Sequence, residues 1–458
     1  MQTSSLLISR RHLLLAGTSA IALSACGGGG ADSGGPQIQS FGADREWVYV
    51  GERVRLSASF KGSGRIEPGL GAVTSGTPIE SGVLDRDFSF RLVVEVPGSP
   101  AISRTLQVGV RYRNRYGYAF AGFVASYYAA VSAPDGRVWL IGGARGEPAM
   151  SPAIDRFDPA TGRFSRVGAL RTGRTHHQAV RLADGRVLVC GGWVADGDAR
   201  LAELIDGQSG AVSITGPLTT PRTFHAALAL PDGRVLVSGG LVGLDAQGRQ
   251  VTDTAELWEP STGRFRRVVQ RMGVGRAAHS MSLLADGRVL IVGGHTNPGE
   301  SLFAEIFDPR VESFMPLAAA QTMRAQHAAH VDSQGRVLIL GGETLDANGN
   351  TVAVASVLRY EPASGNFAPL PPLREPRSGA GSVLLPSGLV LLFGGLLASG
   401  QHSATAERYD PSAGGQGIAG LDFPRAGHGV ARLPDGRVLV AGGEDSDGNP
   451  VPSALIYE

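Results

Sequence analysis

Between residues 112 and 458 short apolar runs and polar breaks follow one another in a fixed order that returns seven times. An apolar stretch meets a turn, Asp-Gly in five of the seven units, a second apolar run follows, and that run ends in a Gly pair. The copy Asp184-Gly185-Arg186-Val187-Leu188-Val189-Cys190-Gly191-Gly192 is typical, and Asp435 to Gly443 repeats it. The pairs stand at Gly142/Gly143, Gly191/Gly192, Gly239/Gly240, Gly293/Gly294, Gly341/Gly342, Gly394/Gly395 and Gly442/Gly443, separated by 49, 48, 54, 48, 53 and 48 residues. Two apolar runs joined by Asp-Gly predict a two-residue hairpin, because Gly supplies the positive φ that the turn needs. A third run closes on Asp-Pro or Glu-Pro, as at Phe157-Asp158-Pro159 and Trp258-Glu259-Pro260, where Pro stops the strand. A fourth opens on an aromatic, Phe164, Phe265, Phe314 or Phe367. Each unit is therefore predicted to be a four-stranded antiparallel sheet, and the repeat length is that of a propeller or solenoid.

The Gly-Gly at the end of a second strand and the aromatic on a fourth resemble the kelch-repeat β-propeller family, over residues 112–458. The resemblance implies an all-β fold with seven blades around an axis. The seventh unit reaches its third strand at Ala454 to Tyr457. Counting back from Asp135 by the spacing of the other units lands at Arg115 and Tyr116, so Tyr112 to Phe120 is expected to supply the missing outer strand and close the ring. Residues 36–111 alternate in strand fashion, with turns at Gly51-Glu52, Gly62-Ser63-Gly64 and Pro97-Gly98. They are expected to form a small β-sandwich that resembles bacterial immunoglobulin-like modules and acts as a spacer.

The first 26 residues carry Arg10-Arg11, a short apolar stretch, then Leu23-Ser24-Ala25-Cys26. The Arg pair is similar to a twin-arginine export signal, and the last four residues to the lipobox of bacterial lipoproteins. The apolar stretch is too short for a permanent membrane span. A signal peptide over 1–26, lipid on Cys26 and a Gly-rich tether over 27–35 are expected. Gly27, where an Asp resembles an inner-membrane retention signal, favours the outer membrane.

Strand order puts the Asp-Gly and Asp-Pro turns on one face of the propeller and the longer connections on the other. Binding is expected on the long-loop face, since binding residues gather on loops held by a rigid scaffold. That face collects Arg174, Arg222, Arg276, Arg324, Arg377 and Arg425, each just ahead of a first strand. Five are followed three residues on by His177, His225, His279, His327 and His428, with Tyr128 and Ala380 in the other two places. An arginine ring at the channel mouth would bind a carboxylate or other anion. Alternatively, a residue type that recurs once per blade is a repeat element bonded to the neighbouring blade. A five-fold His ring matches no ordinary metal site. Trp193, directly after a Gly pair, is a candidate sugar-stacking platform or a packing residue. His295 lies in blade four, between the longer loops Leu244 to Arg249 and Leu345 to Asn350. Asp346/Asn348/Asn350 and Asp445/Asp447/Asn449 read as β-turns rather than calcium loops.

Net charge narrows the partners. With 42 basic against 41 acidic residues the chain is at +1, which offers no field for nucleic acid. Its two cysteines form no disulfide framework. Among kelch-type enzymes, galactose oxidase needs a Cys joined to Tyr plus Tyr and His copper ligands, whereas Cys190 lies inside a strand and no Tyr-His pair matches. A sialic-acid mutarotase type remains the alternative. The expectation is a lipid-anchored envelope protein that binds a protein or glycan, touches membrane only through its lipid, and uses no cofactor.

Overall fold

The computed structural model describes residues 35–119, 125–133, 135–145, 150–245, 248–317 and 323–458. Cys26, the expected signal peptide over 1–26 and all of the expected tether but Gly35 lie outside the described residues.

The chain is all-β, a seven-bladed propeller preceded by a small sandwich. In the sandwich a three-stranded sheet, with Arg55–Lys61 between Gln37–Ala43 and Ile79–Glu80, faces a five-stranded one built around Phe88–Glu95 and Ile102–Arg111. Leu56, Phe60, Ile66, Phe90, Leu92 and Val108 fill the space between them. The alternation of Arg55–Lys61, apolar at Leu56, Ala58 and Phe60 and polar between, puts one face in this core and the other in water.

Blades one to six each pair their four strands in sequence order. In blade two these are Gln178–Arg181, Val187–Cys190, Ala202–Ile205 and Val212–Thr215. Second strands are wholly buried in all seven blades, and so read as unbroken apolar runs. Aromatic pairs cross from third to fourth strand, such as Phe307 on Phe314 at 4.8 Å and Tyr360 on Phe367 at 5.0 Å. First strands contact one another around the axis and are only partly buried.

Blade seven is assembled from both ends of the described chain. Gly429–Arg432, Val438–Ala441 and Ala454–Tyr457 are completed by Tyr116–Tyr118, with Leu455 opposite Tyr118 and Tyr457 opposite Tyr116. The outer strand thus lies where the count from Asp135 expects it, and no strand edge is left open at the seam.

The sandwich docks on the Asp-Gly-turn face of the same blade. Tyr112 Oη donates to the Gly436 carbonyl at 2.7 Å, Arg432 pairs with Asp85, and Val50 and Asp85 pack over Gly436. The long-loop face looks the other way.

Candidate functional site

The repeated residues of the long-loop face build a belt. In every blade the amide of the second Gly donates to a carbonyl of the next blade, at 2.7 to 2.9 Å: Arg174, Arg222, Arg276, Arg324, Arg377, Arg425 and, at the seam, Ala125. The Gly pair is required by close approach. At Gly239 (φ 62°) a Cβ would lie 2.2 Å from the Arg276 carbonyl and 2.8 Å from His279, and at Gly240 (φ 100°) 2.6 Å from the Thr223 carbonyl. Any side chain there would push two blades apart.

This belt corrects the expectation of an anion-binding arginine ring. Arg174, Arg222, Arg276, Arg324, Arg377 and Arg425 are all buried. Each guanidinium donates to the first Gly carbonyl of its own blade, as Arg222 does to Gly239 at 2.6 Å. Four also meet fully buried carboxylates: Arg174 with Glu203 (3.0 Å), Arg222 with Glu256 (2.7 Å), Arg276 with Glu305 (2.9 Å) and Arg377 with Glu407 (2.8 Å). A ligand in solvent cannot reach them. The five histidines are likewise interblade fillers. His279 Nε2 lies 2.8 Å from Ser238 Oγ and His327 Nε2 2.8 Å from Ser280 Oγ, while His225 Nε2 sits 3.8 Å from Cys190 Sγ. Burial first, then the adjacent arginines, lower all five to about 3, so they are neutral at physiological pH.

Inside this belt lies a second ring that the sequence does not advertise. Between each Arg and His stands one residue with positive φ: His176 (53°), Phe224 (52°), Ala278 (56°), Gln326 (52°), Gly379 (57°) and Gly427 (62°), joined by Tyr127 (52°) at the seam. Their backbones bond to one another across blades, Tyr127 to Gly427 at 2.8 Å, His176 to Tyr127 at 3.1 Å, Ala278 to Phe224 at 2.8 Å, Gln326 to Ala278 at 3.0 Å and Gly379 to Gln326 at 2.9 Å. Left-handed backbone at a non-Gly residue is uncommon, and here the inter-blade bonds hold it. These seven residues encircle the axis at the mouth, all partly exposed. Just outside them stand the residues that follow each Gly pair: Ala144, Trp193, Leu241, His295, Glu343, Leu396 and Glu444.

The two rings are chemically lopsided. Blades one to three carry a continuous aromatic wall: Tyr127 stacks on His176 (4.3 Å, 23°), His176 meets Phe224 at 4.4 Å, and Trp193 stands edge-on to His176 (5.2 Å) and Phe224 (5.6 Å). Trp193 is 39% exposed, so it lies at the mouth and not between blades. Tyr127 Oη donates to Glu444, and the Tyr127 ring lies across Gly427, where a Cβ would come within 2.7 Å of it. Burial lowers His176 to about 4, leaving it neutral. Across the mouth Glu343 accepts from Gln326 Nε2 at 3.0 Å and pairs with His295 Nε2 at 2.9 Å. Burial raises the Glu343 carboxyl, but bonds from His295, Ser378 and Gln326 outweigh it and hold the group below the usual carboxylate range. A cleft of about 270 Å3 opens beside this pair, lined by Met323, Thr344, Leu345 and Thr351. The blade-three and blade-five loops are hairpins, Leu241–Asp245 with Gly248–Val251 and Glu343–Leu345 with Thr351–Ala353. Asn297 of blade four binds the Val251 backbone at both its amide atoms, tying the blade-three hairpin to the loop that carries His295. Asp346 and Asp445 each cap their own turn through bonds to Asn350 and Asn449.

Sequence reading thus reached Trp193 and His295 but not Tyr127, His176, Phe224, Gln326 or Glu343. The signal was present as variation. In Arg-Thr-His-His, Arg-Thr-Phe-His, Arg-Ala-Gln-His and Arg-Ala-Gly-His the second position is Thr or Ala, while the third is different in every one.

Two solved structures are similar to this chain at 16% identity. The structure of YjhT aligns over 62% of this chain and 94% of its own, with a TM-score of 0.49. A fungal alcohol oxidase of the AA5 family, in complex with copper, aligns over 75% of this chain and 76% of its own, with a TM-score of 0.61, and has the same kind of all-β propeller fold. No family model and no curated protein sequence matches the chain. Copper does not fit the residues present. Cys190 is sealed in its strand against His225, its thiol pushed up to about 12 by burial, and among the described residues no three His, Cys, Asp or Glu side chains converge as a ligand set.

Proposed function

We propose that this chain is a lipid-anchored protein of the bacterial cell envelope, held at the outer membrane through Cys26, whose propeller binds an envelope protein or glycan at the mouth of its long-loop face. One observation carries the binding face. Seven positions equivalent by fold hold Tyr127, His176, Phe224, Ala278, Gln326, Gly379 and Gly427, while the Arg, His and Gly columns around them scarcely vary. Packing accounts for the uniform columns and makes no demand for a varied one. The opposite face is partly occupied by the sandwich, which leaves the mouth accessible on a propeller tethered from its N-terminal side. The anchor reading rests on Leu23-Ser24-Ala25-Cys26 alone.

One set of strains tests both halves. Cys26→Ser should release the protein from membranes and abolish labelling by a fatty-acid precursor; retention with label rejects the anchor. Trp193→Ala at the mouth should weaken capture from envelope extracts about tenfold, the worth of one stacked aromatic contact. Asp286→Ala, in the Asp-Gly turn of blade four, should leave capture unchanged. The reverse pattern assigns binding to the other face.

A further inference from the structure

We propose that the mouth recognises a saccharide that carries no acidic group, its ring stacked in the aromatic wall of blades one to three and its hydroxyls turned toward Gln326, Glu343 and Glu444. This rests on the mouth being the binding site and adds the class of ligand.

The shape comes from the uneven ring. Tyr127, His176, Phe224 and Trp193 form one contiguous set of rings; beyond them Ala278 is small, while Gly379 and Gly427 lie under the Gln326 amide and the Tyr127 ring. An aromatic wall thus stands on one arc of the mouth, with the polar groups of Gln326 and Glu343 across from it. The C–H face of a sugar ring fits such a wall, because it buries apolar surface while its hydroxyls stay at the rim.

The polar side of the mouth selects among ligands. Glu343 and Glu444 are acceptors, and the Gln326 amide is turned to Glu343. The six belt arginines are buried and bonded within the fold, and Arg145 is paired with Asp155. His176 is neutral, and His295 is matched to Glu343. A carboxylated or sulfated sugar would therefore bring negative charge to a mouth that holds two carboxylates, a like-charge approach. Hydroxyl and amide donors meet no such penalty. The mouth also suits a peptide poorly, since a strand added to an edge needs open backbone groups, and residues of the inner ring bond to one another instead.

The experiment uses the full-length protein in detergent, with chitotetraose, cellotetraose and maltotetraose as uncharged probes and sialyllactose and tetragalacturonate as acidic ones. Titration is followed by calorimetry and by tryptophan fluorescence, to which Trp193 contributes at the mouth and Trp47 on the sandwich, while Trp139 and Trp258 are buried. At least one uncharged probe should bind, should do so about tenfold more tightly than either acidic probe, and should lose about tenfold in affinity in Trp193→Ala and less in Trp193→Phe. Silence from every uncharged probe overturns the proposal, as does acidic binding equal to or tighter than neutral, or neutral binding untouched by Trp193→Ala. These failures separate from failure of the binding face. An acidic sugar or protein ligand lost in Trp193→Ala leaves the mouth as the site and removes only the class assigned to it. A ligand lost in Asp286→Ala and kept in Trp193→Ala removes both.

Discussion

Arg222 shows how a residue that looks made for a ligand is instead consumed by the fold. Its guanidinium sits in a fully buried place, donates to the Gly239 and Thr254 carbonyls at 2.6 and 3.1 Å, and meets Glu256 at 2.7 Å. Glu256 in turn accepts from the Thr219 amide at 2.6 Å, so one ion pair fixes a loop as well as a blade edge. Removing one partner leaves a buried charge with nothing to balance it, which costs about 3 to 5 kcal/mol, whereas replacing both by apolar residues of similar volume is far milder. Glu256→Ala should therefore lower the urea midpoint sharply, and Arg222→Met with Glu256→Leu should recover most of the loss. Equal losses in the two variants would mean that the pair's charges are unimportant. The existence of the Arg column was plain in the sequence; its burial was not. Spacing shows that a residue recurs, but not which way its head group turns, and an Arg bonded to carbonyls of its own repeat has the same sequence pattern as one facing solvent.

At the scale of strands, legibility was high because every element is announced by local chemistry. Asp-Gly makes the first turn in five units, the Gly pair makes the crossing to the next blade in all seven, and Pro ends the third strand in five. The seam was legible for a different reason: six units have a fourth strand and the seventh, by count, borrows one. The borrowed strand is short, Tyr116–Tyr118, but it is reinforced. Tyr457 stacks on Tyr112 at 5.4 Å, and its hydroxyl reaches Asn114 at 3.2 Å; Arg115 pairs with Glu458 at 2.7 Å. Leu455, Ile456 and Tyr457 are buried, and their joint exposure would cost about 5 kcal/mol at roughly 1.5 to 3 kcal/mol per large apolar side chain. Deleting Ala454 to Glu458 should lower Tm by about 10 °C or more, measured by calorimetry. A deletion that melts within a degree of the parent would show that the seam contributes nothing. What the strand pattern could not reveal is the inner ring, because a single left-handed residue between two belt residues has no hydropathy signature. Only the structure places Tyr127, separated from His176 by a whole blade of sequence, ring on ring against it.

Taken whole, the propeller is closed by a circle of imidazoles that are neutral because they are buried, and this gives the molecule a definite response to acid. His177, His225, His279, His327 and His428 are held near 3, while in an unfolded chain each would titrate near the ordinary 6.5. The folded value is the lower one, so below 6.5 the unfolded chain takes up protons that the folded one refuses. Stability from this source is complete above 6.5 and is lost as pH falls toward 3. Each histidine loses about 1.4 kcal/mol between pH 7.5 and 5.5, so five acting together lose about 7 kcal/mol over a range in which paired carboxylates have barely begun to titrate. The circle is not uniform: blade six has Ala380 in this place, and Leu373 fills the space at Gly341 that an imidazole takes at the corresponding Gly293. The ring therefore needs volume at that position, and the proton linkage is a consequence of using His to supply it. Urea unfolding at pH 7.5, 6.5 and 5.5 should show the midpoint falling at each step, with the pH slope corresponding to several protons taken up on unfolding near pH 5.5. A stability that stays flat from 7.5 to 5.5 would mean that the imidazoles open to water or accept protons in place, and that the belt is looser than its hydrogen bonds imply.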